Sequence, residues 1–188
     1  MTKKDVIDEK INYWKEWANK NSHRYDIALF KIWIQFEKYI GELFVNYALG
    51  KKSERGYRPK LKLKFSTEEQ LNALSREGNK PYIEYLVKIE KISKHIFDRD
   101  PFQIILLDSD YRNVFNQIKS IRNYIAHESG EAKLKYTNIC LSGDSRKFKE
   151  PNEFLKQQEK ESGLSFFSYY INSINNMTEL LIDPPDDL

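Results

Sequence analysis

From about Lys4 to Asn19, Val6, Ile7, Ile11, Trp14 and Trp17 recur at the three- and four-residue spacing of an amphipathic helix, which NKNSHR then breaks. From about Tyr25 to Leu49 a broader stripe of Leu29, Trp33, Phe36, Ile40, Leu43, Phe44 and Tyr47 predicts the central core helix, with Gly50 as its stop. The pattern changes at 51–64, where the alternating Lys/Leu of KLKLK suits a short strand. Ser66 and Glu69 stand at capping-box spacing for a short helix to about Arg76, which EGNKP ends. Pro81 suits the start of another helix, with Ile83, Leu86, Val87, Ile89, Ile92 and Ile96 on its apolar face. After DRDP, Asp108 or Ser109 caps a helix whose seam is Val114, Ile118, Ile121 and Ile125. Residues 129–150 read as an irregular loop except for LKYTNICL, which could pair with KLKLKF as a β-hairpin or ladder. A last helix is expected over about Asn152 to Ile182, with a break near Ser162 and Gly163, before a frayed tail at 183–188.

These elements predict a mainly α protein, an antiparallel helical bundle with a small β-hairpin or ladder from inserted segments. A length of 188 residues with 40% hydrophobic content suits one domain over 1–188, with 51–80 as a probable insertion. Only 7 Gly and 6 Pro agree with helices rather than a turn-rich sheet. The longest strongly apolar run, IILL at 104–107, is far too short for a membrane span. With no signal peptide in the N-terminal pattern and a single Cys140, the expected compartment is the cytoplasm.

A net charge of +3 is too mild to announce a nucleic-acid binder, so distribution matters more. Lys51, Lys52, Arg55 and Arg58, followed by Lys60, Lys62 and Lys64, set seven basic residues against one acid over 51–64. With Tyr57 among them they are a candidate track for an RNA backbone, the plainer alternative being a solvated loop and charged edge strand. GKKS at 50–53 lacks the upstream glycine of a phosphate-binding loop and follows a helix, which excludes that motif. His23 and His95 have no ligand partner at useful spacing, so no metal or cofactor is expected. Trp14 and Trp17 are most economically core or interface aromatics, and Cys140 structural.

The densest chemistry lies in SIRNYIAHESG, residues 120–130. At 100° per residue from Ile118, Arg122 falls roughly 40° from the apolar seam, while Asn123 and His127 lie about 140° and 180° away. His127 therefore faces away from its own helix's core. Asn123 and His127 share a face, so the amide could hold the imidazole in one tautomer. Imidazole exchanges protons near neutral pH, guanidinium grips phosphate bidentately, and an amide orients either partner. That set suits RNA cleavage, in which a base takes the ribose 2′-hydroxyl proton and an acid protonates the leaving 5′-oxygen. Glu37 projects roughly 40° from Trp33 and is a candidate semi-buried acid to pair with Arg122, although a rim position is the commoner fate of glutamate. The bland alternative for His127 is contact with the last carbonyls of its helix.

R-N-Y-I-A-H at 122–127 resembles the R-x-x-x-x-H motif of HEPN-domain ribonucleases, in which a polar residue commonly follows the arginine. KIWIQFE at 31–37 also resembles prokaryotic HEPN sequences, and the resemblance covers the helical parts of the chain. It implies a small antiparallel helical bundle with the motif at the end of a late helix. It further implies a metal-independent endoribonuclease in which Arg122 holds the scissile phosphate, His127 acts as general acid or base, and Asn123 supports both. HEPN domains typically pair so that two motifs line one cleft, which implies a homodimer. Toxins and antiviral defence effectors of this type work with a cognate antitoxin or inside a larger defence complex. The alternatives are a non-catalytic HEPN-like dimerisation or RNA-binding module, and a helical adaptor in which the motif is coincidence.

Overall fold

In the computed structural model, which describes residues 2–21, 23–75, 85–143 and 147–185, the first helix is α1, Lys3–Lys20. Thr2 fixes its start: the Thr2 hydroxyl accepts from the Asp5 N–H at 3.1 Å, and the Asp5 carboxylate accepts from the Thr2 N–H at 2.7 Å. Helix α2, Tyr25–Ala48, has no capping side chain of its own. Its Tyr25 N–H instead donates to Asn152 Oδ1 at 2.9 Å, a cap supplied from 127 residues away. Gly50, at φ +73°, ends the helical run as the sequence predicts.

The remaining helices among the described residues are α3 (Glu68–Ser75), α4 (Tyr85–Ile96), α5 (Gln103–Leu107), α6 (Ser109–His127), α7 (Gly130–Cys140), α8 (Pro151–Leu155) and α9 (Phe166–Ile182). The cap of α3 lies one residue later than expected: the Thr67 hydroxyl accepts from the Gln70 N–H, and the Gln70 side chain accepts from the Ser66 N–H. The end of that helix at Arg76, the EGNKP break, the Pro81 start and Ile83 lie outside the described residues. Asp108 caps α6, accepting from the N–H groups of Asp110 and Tyr111.

α2 is the axis of the fold. Its Tyr25 stacks on Phe167 with centroids 4.5 Å apart, and its Tyr47 hydroxyl donates to the Leu181 carbonyl at 2.6 Å, so α2 and α9 run parallel. On another side Trp33 meets Phe115 edge-on at 4.9 Å, and Phe30 lies by Arg122, so α6 runs antiparallel to α2. α1 packs back along α2, with Lys3 on Glu42 and Trp14 by Lys31. Trp33, Phe36, Phe97, Tyr136 and Tyr170 are fully buried in one hydrophobic cluster fed by these helices. Among the described residues no helix is long and apolar enough to cross a membrane.

Expectations for three stretches are corrected. The β-hairpin between KLKLKF and LKYTNICL does not form, and 129–150 is not an irregular loop throughout, because α7 occupies Gly130–Cys140 with Ser129 as its cap. Ala132, Tyr136 and Cys140 recur every fourth residue, and this face packs on α6 while Leu134 and Ile139 stay exposed. The fourfold period outweighs the two-residue alternation. KLKLK is extended, but its ladder is one bridge between Leu61 and Phe97 at the end of α4, and no strand occurs among the described residues. The last helix is split more widely than expected, because α8 ends at Leu155 and a turn with Gly163 at φ +68° precedes α9.

Candidate functional site

The last turns of α6 carry the site. Val114, Ile118 and Ile121 bury its seam, so the helix is rotated with Asn123 half-buried and His127 exposed at its final position. Glu128 stops the helix in the left-handed region at φ +47°, its N–H donating to the Tyr124 carbonyl at 2.9 Å, and Ser129 caps α7 at once. The corner is braced from behind by Tyr124, stacked on Tyr136 at 5.5 Å and 5°.

Arg122 is half-buried. Its Nη1 donates to Asn123 Oδ1 at 3.0 Å, its Cζ lies 6.0 Å from the centroid of Phe30, and its buried Nε has no partner among the described residues. The Asn123 amide, expected to hold the His127 imidazole, instead accepts from Arg122 through its oxygen. Phe30 was not legible as a site residue, because it belongs to α2 and meets Arg122 only through packing. Next to it stands Lys31, whose Nζ is 6.0 Å from the rings of both Phe30 and Trp14.

The other expected site residues are dispersed. Glu37 lies half-buried on α2, seven residues and about 10 Å beyond Phe30, while the guanidinium turns to Asn123 and Phe30. The basic segment lies at the far end of α2 from the motif, since Tyr57 packs on Tyr47 and Lys51 N–H donates to the Asn46 carbonyl. Phe30 to Ala48 spans about 27 Å of helix. Lys51, Lys52, Arg58, Lys60, Lys62 and Lys64 are exposed there, Arg55 is paired with Glu179 and Asp183, and Lys62 donates to the Lys94 carbonyl at 3.2 Å. The segment therefore does not border the Arg122 site.

A separate polar cleft of about 700 Å³ opens on the opposite flank of α6, where Gln117, Cys140 and Tyr169 contribute to its lining. Burial pushes the Cys140 thiol up to about 12, with the hydrogen bond to Ser120 only partly opposing it. That environment suits a structural thiol rather than a nucleophile.

No protein-family model, no curated protein and no solved structure matches this chain.

Proposed function

We propose that the chain is a metal-independent endoribonuclease of the HEPN type, acting as a homodimer whose two copies of Arg122, Asn123 and His127 face one RNA-binding cleft. The observation that carries this reading is the joint placement of the three groups at one corner: a guanidinium steadied by Asn123 and Phe30, and an exposed imidazole at the end of the same helix. In the reaction one His127 takes the 2′-hydroxyl proton and the 2′-oxygen bonds to phosphorus. The bond from phosphorus to the 5′-oxygen breaks, and the partner copy's imidazolium protonates that leaving oxygen. The products are a 2′,3′-cyclic phosphate and a 5′-hydroxyl. Arg122 offsets the charge on the phosphoryl oxygens.

Acid and base on opposite sides of one phosphate call for two imidazoles, and a two-fold axis supplies the second. The exposed, outward-facing position of His127 supports that arrangement. A toxin or antiviral defence role, with an antitoxin or larger complex as partner, belongs to the same reading.

The test is cleavage of RNA in EDTA by the purified protein beside His127→Ala and Arg122→Ala. The expected result is a loss of about 10² or more in the histidine variant with its dimer intact. RNA binding without cleavage would favour a non-catalytic module instead.

A further inference from the structure

Along the α1–α2 seam a file of side chains leads away from the Arg122 site to a hollow between the two helices. The hollow, of about 180 Å³, is lined by Lys3, Val6 and Lys10 from α1 and by Gln35, Lys38 and Glu42 from α2. One helical turn nearer the motif, Lys10 gives way to Trp14 and Gln35 to Lys31, and the Lys31 Nζ lies 6.0 Å from the Trp14 ring. One contact further, Lys31 meets Phe30, and Phe30 meets Arg122. The series is therefore continuous from the guanidinium to Lys3, with about 17 Å of α2 from Lys31 to Glu42.

Its chemistry is selective. Lys3, Lys10, Lys31 and Lys38 stand against Glu42, which lies 2.8 Å from Lys3 and 3.9 Å from Lys38. Apolar surface is interleaved with these cations. Tyr13 is 58% exposed with its ring edge-on to Trp14, Val6 is 44% exposed, and Trp14 and Trp17 are half-buried. Spaced cations with accessible aromatic rings match a polyanion that also carries planar bases, which is single-stranded nucleic acid. A protein partner of ordinary composition gains nothing from four lysines in file.

We propose that the α1–α2 seam is the track that holds single-stranded RNA flanking the scissile phosphate, with Lys10, Lys31 and Lys38 on phosphates and Tyr13 and Trp14 under bases. This rests on the ribonuclease reading only for the identity of the phosphate at Arg122; binding along the seam is measured independently of cleavage.

The test uses the full chain with His127→Ala, to keep the probe intact, and a fluorescein-labelled, unstructured 12-nucleotide RNA followed by anisotropy across a salt series. Lys10→Glu/Lys31→Glu/Lys38→Glu is expected to weaken binding about tenfold or more and to flatten the slope of log K against log salt by about 2. Tyr13→Ala is expected to weaken it about fivefold. Lys60→Glu/Lys62→Glu/Lys64→Glu, on the segment after α2 and outside the lining of the hollow, is expected to stay within about twofold. Circular dichroism checks that each variant is folded. Unchanged affinity and slope in the seam triple variant overturns the track, even if the wild-type chain cleaves RNA. Loss of the dimer in that variant with RNA affinity kept makes the seam a self-association surface and also overturns it. Binding that depends on the seam in a chain that never cleaves upholds the track and sinks the ribonuclease reading. No RNA binding by any form removes both.

Discussion

The Arg122 guanidinium lies 6.0 Å from the Phe30 ring, joining the last turns of α6 to the first turns of α2. An arginine that must meet a phosphate without first being searched for among rotamers gains from such a support, and the hydrogen bond to Asn123 Oδ1 fixes its other side. Phe30→Leu keeps an apolar side chain but removes the ring face. The expected result is a cleavage rate about two- to fivefold lower, matching roughly 0.5–1 kcal/mol for an exposed cation–π contact. Arg122→Lys is expected to lose more, about tenfold or beyond, because an ammonium cannot reproduce the planar two-point grip. Equal rates in Phe30→Leu and wild type would show that the ring does not position the guanidinium.

The corner after α6 stores backbone strain at Glu128, a non-glycine residue at φ +47°. Glu128→Gly removes the Cβ conflict at the cost of a more flexible unfolded chain, and a net gain of about 0.5–1 kcal/mol is expected. Urea unfolding should show a higher midpoint with an unchanged slope. A lower midpoint would mean that the Glu128 side chain stabilises the corner more than its conformation costs.

Cys140 should be nearly inert in the folded protein. Its thiol is pushed up to about 12 from an ordinary 9.0 by burial, so the thiolate at pH 8 is about 10³-fold scarcer than for an exposed cysteine. Alkylation by iodoacetamide is expected to be slower by about that factor in buffer, and to reach the ordinary rate in denaturing urea. Fast native labelling would place the thiol in a different environment.

Tyr39, Tyr47, Tyr136 and Tyr170 are buried, and burial raises each phenol above its ordinary 10.0. Below pH 10 both folded and unfolded chains hold these protons, so stability is whole. As pH climbs past 10 the unfolded chain loses them first, and stability falls. Phenolate absorbance should therefore rise in two stages, the later one coinciding with loss of helical circular dichroism. A single smooth titration that ends before unfolding would contradict this.

The parts of the fold that a reader of the sequence can recover are those written within one helix. α2 carries its stripe and Gly50, α6 carries Asp108 and its seam, and Arg122, Asn123 and His127 were legible together because one helix holds all three. α7 was misread because LKYTNIC alternates over a short window, while the period that matters, Ala132 to Tyr136 to Cys140, extends beyond it. What depends on the rotation of one helix against another was not legible: Phe30 under Arg122, Lys31 between two rings, and Asn152 capping α2 from the far end of the chain. The same limit hid the distance of the basic segment at 51–64 from the motif, since Tyr57 on Tyr47 anchors it at the opposite end of α2.

A shared cleft makes one demand that independent sites do not. A heterodimer of one wild-type copy and one His127→Ala copy, isolated with two different affinity tags, contains a single imidazole for two proton transfers. Its RNA cleavage rate in EDTA is expected to fall at least about tenfold below the wild-type homodimer, towards that of the His127→Ala homodimer, because either the acid or the base is missing. Retention of about half the wild-type rate would mean that each copy works alone, and would contradict the composite site.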